Sequence, residues 1–186
     1  MTSNPGSSPA RRADAERNRD KILAAARAVF ADPAATASMA EISRRAGVGM
    51  PTLYRHFAGR CELLEALFAD EVDTVIRAAA EIDGLTPAAA LRGWLHRLFT
   101  FFANKRGIAA ELLKHHDPGD PVFDDSRARV IAAGRPLLAA AQQAHEVRED
   151  LVLEQILDMI KAIATIHGDR DYVEAILRTA LDGLRP

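Results

Sequence analysis

The chain holds one cysteine, one tryptophan and only four lysines in 186 residues. Cys61 has no second cysteine to pair with, which excludes an internal disulfide and fits a reducing compartment. No apolar run approaches the ~18 residues that a membrane helix requires. The opening stretch MTSNPGSSPARR lacks the apolar core of a signal peptide. A cytoplasmic protein without a membrane partner is therefore the expectation. Alternating β-branched or aromatic runs are missing, so no strand is anticipated. No nucleophile set, Gly-rich phosphate loop or trustworthy metal spacing stands out, so neither enzyme activity, cofactor nor metal is expected. The adjacent His115 and His116 would point about 100° apart on a helix and make a poor pair of ligands for one ion.

What is present is alanine, which favours helix, and an uneven distribution of charge. The 24 Lys+Arg and 26 Asp+Glu nearly cancel, to a net charge of −2. Residues 1–60 carry ten basic and five acidic side chains, whereas residues 61–186 carry fourteen and twenty-one. This split describes an anion-binding head on a more acidic body.

Breakers divide the chain into about nine helices, an all-α pattern. Residues 1–9, rich in Ser, Pro, Gly and Asn, read as a disordered arm. The first helix spans about Ala13–Ala31, with Ile22, Ala26, Val29 and Phe30 on one stripe, and Asp32-Pro33 ends it. The second starts at Ser38, which has capping-box spacing with Glu41, and stops at Gly47. Ala40, Ile42 and Ala46 suit its buried face. The third covers about Met50–Phe57, with Pro51 in its first turn. Six more span about Arg60–Asp83, Thr86–Asn104, Arg106–His116, Asp124–Ala144, Glu149–His167 and Arg170–Leu184. Pro136 should kink the seventh.

Residues 38–57, SMAEISRRAGVGMPTLYRHF, hold two short helices around a glycine turn. This is a helix-turn-helix, whose second helix enters the DNA major groove. A hairpin inside a helical bundle has the same pattern. The basic surround favours DNA, because Arg11, Arg12, Arg17, Arg19, Arg44, Arg45, Arg55 and Arg60 lie close in sequence and neutralising phosphates explains them. Thr52, Tyr54 and His56 can face outwards while Leu53 and Phe57 point inwards.

Residues 17–68 resemble the N-terminal domain of TetR/AcrR transcriptional regulators, above all in T-L-Y-R-H-F followed by a basic residue and Leu-Leu. The resemblance implies a three-helix DNA-binding domain over residues 10–60 and a helical ligand-binding and dimerisation domain over 61–186. It implies a DNA-contacting set of Ser38, Arg45, Gly49, Met50, Pro51, Thr52, Tyr54, Arg55, His56 and Arg60. Thr52 and Tyr54 would touch backbone or base edges, His56 a phosphate. Arg60 stands where a phosphate-binding lysine is usual, and Ser38 would offer its hydroxyl to a phosphate. Gly49 and Met50 depart from the family pattern. Met50 can touch a thymine methyl but makes no bidentate base contact, which leaves Arg45, Thr52 and Arg55 as specificity sources. The loop Asp32–Ala37 lacks the glycine often found there.

The segment from Gly107, and the ending RTALDGLRP above all, resembles the C-terminal domain of an SbtR-like subgroup. Apolar residues fall on more than one face of the last two helices. This suggests a two-fold homodimer through Ile156, Met159, Ile160, Ile163, Tyr172, Val173, Ile176, Leu177 and Leu181. Burial within one subunit is the alternative. Phe68, Trp94, Leu98, Phe99, Phe102, Leu112, His116 and Phe123 are candidate lining for a ligand pocket, or plain core. Cys61, beside Arg60 in a first helical turn, is a candidate reactive thiol or an inert one. The expected function is a homodimeric repressor released from a two-fold operator by a small-molecule effector. The alternative is a ligand-independent DNA-binding protein, or an activator, with a filled body.

Overall fold

The structure, a computed structural model, describes residues 9–32, 37–81, 86–104, 108, 111–112 and 121–186. Among them are eight helices and no strand: α1 Pro9–Ala31, α2 Met39–Ala46, α3 Met50–His56, α4 Arg60–Ala80, α5 Pro87–Asn104, α6 Pro121–Gln143, α7 Leu153–Ala164 and α8 Arg170–Asp182. The helix expected over Arg106–His116 lies largely outside the described residues. Within it Ile108, Glu111 and Leu112 are helical, and Ile108 and Leu112 are buried. The chain divides into two units, Met1–Leu67 and Phe68–Pro186, with the division inside α4.

The first unit packs around side chains that share one face of each helix. Ile22, Leu23, Ala26 and Val29 of α1 are buried, as are Ile42 of α2, Leu53 and Phe57 at α3, and Leu63, Leu64 and Leu67 of α4. Each fully buried Leu or Ile contributes ~1.5–3 kcal/mol, far more than exposed ion pairs add, so apolar packing holds this head together. Helix α1 starts at Pro9 rather than near Ala13. Proline suits a first helical position, where its missing N–H costs nothing. The buried face of α2 differs from the expectation. Ile42 is buried, but Ala40 is exposed and Ser43 is buried instead. Ser43 is tolerated there because its Oγ donates to the Val48 carbonyl at 2.6 Å.

The second unit is organised around Trp94, which is fully buried. Its Nε1 donates to the Val75 carbonyl at 3.1 Å. The ring lies against Gly134, where a Cβ would come within 2.3 Å of Trp94 Cη2. Helix α6 runs through Pro136 to Gln143. The N-terminus of α5 is capped twice: Thr86 Oγ1 accepts from Ala89 N–H at 3.3 Å and the Glu146 carboxylate from Ala88 N–H at 2.8 Å. Helix α7 begins at Leu153, not near Glu149. Gln142 Nε2 donates to the carbonyls of Arg148 and Leu151, both at 3.1 Å, and Arg148 N–H donates to the Leu184 carbonyl. These bonds hold residues 148–151 out of the helix.

Candidate nucleic-acid interface

The two helices of the head's recognition motif are joined by a turn that glycine makes possible. Gly47 adopts φ 66°, the left-handed region that costs other residues strain, and its N–H returns to the end of α2. Gly49 then caps α3, receiving the N–H groups of Thr52 and Leu53 at 2.9 and 3.0 Å. Leu53 and Phe57 anchor α3 in the core. Each residue turns the helix by about 100°, so the opposite side presents Pro51, Tyr54 and Arg55 to solvent, with Thr52 and His56 half-buried beside them. Met50 is also half-buried and Gly49 exposed.

Ser38 caps α2, accepting from Glu41 N–H at 3.2 Å. Its hydroxyl proton can still be donated outwards. The reciprocal half of the expected capping box is replaced. The Glu41 carboxylate accepts from Arg44 at 2.7 and 2.8 Å and from Arg45 at 2.7 Å. Two guanidinium groups outcompete one backbone amide for a carboxylate. Their hydrogen bonds hold the Glu41 carboxyl down from 4.5 to about 2. Arg45 also reaches Asp32 at 3.3 Å, pairing α2 with the end of α1. The spacing of Glu41 to Arg44 and Arg45, three and four residues, is the signal that would have found this cluster.

Arg60 donates to the Ala37 carbonyl and its guanidinium lies 5.4 Å from the Phe30 ring centroid. Arg19 sits 5.5 Å over Phe57. Several cations counted from sequence as phosphate contacts are thus engaged by the fold itself. Arg55 differs, as its guanidinium donates to Thr52 Oγ1 at 3.1 Å, a neutral partner on its own helix. The loop glycine question at residues 33–36 lies outside the described residues. Cys61 is half-buried, and its Sγ–H donates to the Glu65 carboxylate at 3.4 Å, a contact that needs the thiol proton.

Comparison with known proteins decides what this head belongs to. Residues 22–67 match the model of the bacterial regulatory proteins of the TetR family. Residues 86–186 match the C-terminal domain of SbtR-like transcriptional regulators. A TetR transcriptional regulator from Streptomyces coelicolor is 36% identical, covering 90% of this chain and 98% of its own, with a TM-score of 0.73. A TetR regulatory protein from Mycobacterium vanbaalenii is 32% identical, covering 94% and 99%, with a TM-score of 0.75. The chain belongs to the TetR family. The HTH-type transcriptional activator FasR of Mycolicibacterium smegmatis is 40% identical over 62 residues, 33% of this chain and 28% of that protein's length. This TetR-family chain is therefore an all-α, helix-turn-helix DNA-binding transcriptional regulator, a family of regulators and not of enzymes. The SbtR-like match begins at residue 86, well before Gly107.

In the body of the regulator the apolar residues separate into core and cleft. Trp94, Leu98 and Leu112 have no accessible surface. Phe68 packs edge-on against Phe123 at 5.6 Å, and Phe102 against Phe101 at 5.3 Å. Phe99 instead lines a cleft of about 480 Å³ with His96, Ile166, Asp169, Arg170, Val173 and Glu174. His116 lies outside the described residues. Of the expected dimer residues, Ile156, Ile160, Ile163, Val173, Leu177 and Leu181 are buried within their own chain. Helix α7 is apolar on one face only, with Gln155, Asp158, Lys161 and Ala162 exposed. Met159 and Ile176 keep partial exposure, and Tyr172 is 58% exposed. No helix among the described residues is long and apolar enough to cross a membrane.

Proposed function

We propose that this TetR-family regulator is a cytoplasmic homodimeric repressor, released from a two-fold operator by a small molecule held in its C-terminal unit. Residues 10–60 serve as the DNA head, with α3 in the major groove, and residues 61–186 as the sensing and pairing body. The cleft beside Phe99 carries the effector part of this reading. Its floor of Phe99, Ile166 and Val173 suits an apolar ligand body, and its charged rim of Asp169, Arg170 and Glu174 suits polar substituents. Pairing would use the apolar surface that folding leaves over outside the cleft: Val152, Met159, Tyr172 and Ile176, on and beside α7 and α8. Two such helices from each copy make a four-helix interface.

Release requires the ligand to prefer one of two states, with a coupling of typically ~1–3 kcal/mol. The test is displacement of the purified regulator from genomic DNA by a metabolite library, repeated with Phe99→Trp, which narrows the cleft. Compounds that release the parent protein and not the variant support the reading. Persistent DNA binding across the library contradicts the effector role. A second reading, ligand-independent regulation, draws on the filled region around Trp94, where Gly134 leaves no room. Activation in place of repression draws on the relative named as an activator. A reporter fused to a bound promoter separates these modes by the sign of its response.

A further inference from the structure

We infer that Arg55, steered by Thr52, is the residue with which each head reads a guanine. The inference rests on the reading that α3 enters the major groove. Three of the four arginines between Ser38 and Arg60 are engaged by groups of the fold. Arg44 and Arg45 share the Glu41 carboxylate, Arg45 also meets Asp32, and Arg60 is held by the Ala37 carbonyl over the Phe30 ring. Arg55 stands two residues from each of the buried anchors Leu53 and Phe57. That spacing is about 200° of helical rotation from both, the centre of the outward face. The side chain is exposed, so the position presents a guanidinium to whatever α3 docks against.

The contact with Thr52 determines how that guanidinium is presented. Arg55 Nη2 donates to Thr52 Oγ1 at 3.1 Å, one turn back on the same face. A guanidinium has five N–H donors, so four remain after this bond, enough for the two-pronged contact with guanine O6 and N7. The brace restricts a long side chain before DNA arrives, which lowers the entropy lost on docking. The residues that open α3 are poor readers by comparison. Gly49 has no side chain, and Met50 and Pro51 offer no side-chain donor. Arg55 therefore acts as the base-reading residue and Thr52 as a positioning residue.

The experiment is selection of random-sequence duplex DNA by the full chain, followed by sequencing, with parent, Arg55→Ala, Arg55→Gln, Thr52→Ala and Thr52→Ser proteins. The parent should enrich a guanine at one position of each half-site by ~10-fold or more over other bases. Arg55→Ala should lose that preference while neighbouring positions keep theirs. Arg55→Gln should move the preference towards adenine, whose N6 and N7 match the amide. Thr52→Ser should retain the guanine and Thr52→Ala should weaken it. Salt titration on one random duplex supplies a second measurement. Loss of a base contact leaves the salt slope nearly unchanged, whereas loss of a phosphate contact lowers it by about one. An unchanged guanine preference in Arg55→Ala, with a shallower salt slope, overturns the inference and leaves the groove reading standing. No enriched sequence for the folded parent overturns both.

Discussion

At the scale of single residues, chemistry and packing separate cleanly. Glu41 sits between two arginines, and their hydrogen bonds lower its carboxyl pKa to about 2. A carboxyl whose pKa is depressed on folding contributes stability above its ordinary value and loses it as pH falls. The contribution of Glu41 is therefore complete above pH 4.5 and disappears as pH approaches 2. Acid unfolding followed by circular dichroism should differ between the parent and Glu41→Gln above this window and converge below it. Equal curves throughout would show that the cluster contributes nothing. Gly134 poses a packing question. A methyl group there would have to displace the Trp94 ring or the backbone of α6, since the Cβ would lie 2.3 Å from Cη2. Overpacking of this kind costs ~1–3 kcal/mol. Gly134→Ala should lower the midpoint of thermal unfolding and shift the emission of the single tryptophan, and unchanged emission would contradict the packing account.

At the scale of elements, the head was more legible than the body. The cap at Ser38, the stop at Gly47 and Pro51 in the first turn of α3 are local devices, and each is written in one or two residues. Ser38→Ala should cost ~1 kcal/mol by chemical denaturation, the usual loss for an N-cap, while Ser38→Asp should retain most of it. Wild-type stability in Ser38→Ala would mean that the cap is idle. Elements that depend on distant partners were harder to read. Nothing near residue 149 announces that Gln142 and the Leu184 carbonyl will hold residues 148–151 out of α7. The second cap on α5 comes from Glu146, 58 residues away. The capping-box pattern and the ion-pair pattern use the same glutamate, Glu41. Only geometry shows which partner takes it.

At the scale of the whole molecule, the charge split acquires a narrower meaning. Basic residues do concentrate in residues 1–60, but Glu41 and Asp32 offset two of them and the fold occupies Arg60. Fewer cationic side chains are open to phosphates than the ten that composition counts. The residues left exposed for a proposed dimer seam are likewise fewer than spacing suggests. Apolar spacing alone cannot tell whether a helix packs on its own chain or on a copy of it, and six of the nine expected residues are buried at home. If Ile176 and Tyr172 carry the pairing, Ile176→Asp should convert a dimer into a folded monomer by light scattering, with little loss of helix. A variant that stays dimeric would move the seam elsewhere. The proposed function requires sequence-selective binding by a two-fold dimer. Its most direct test is a titration of the full chain, at low salt, with genomic fragments and random duplexes. Preferred fragments are expected, with protected sites that contain two related half-sites, about one helical turn or a multiple apart. Uniform binding to every duplex by a folded dimer, or none at all, would contradict it.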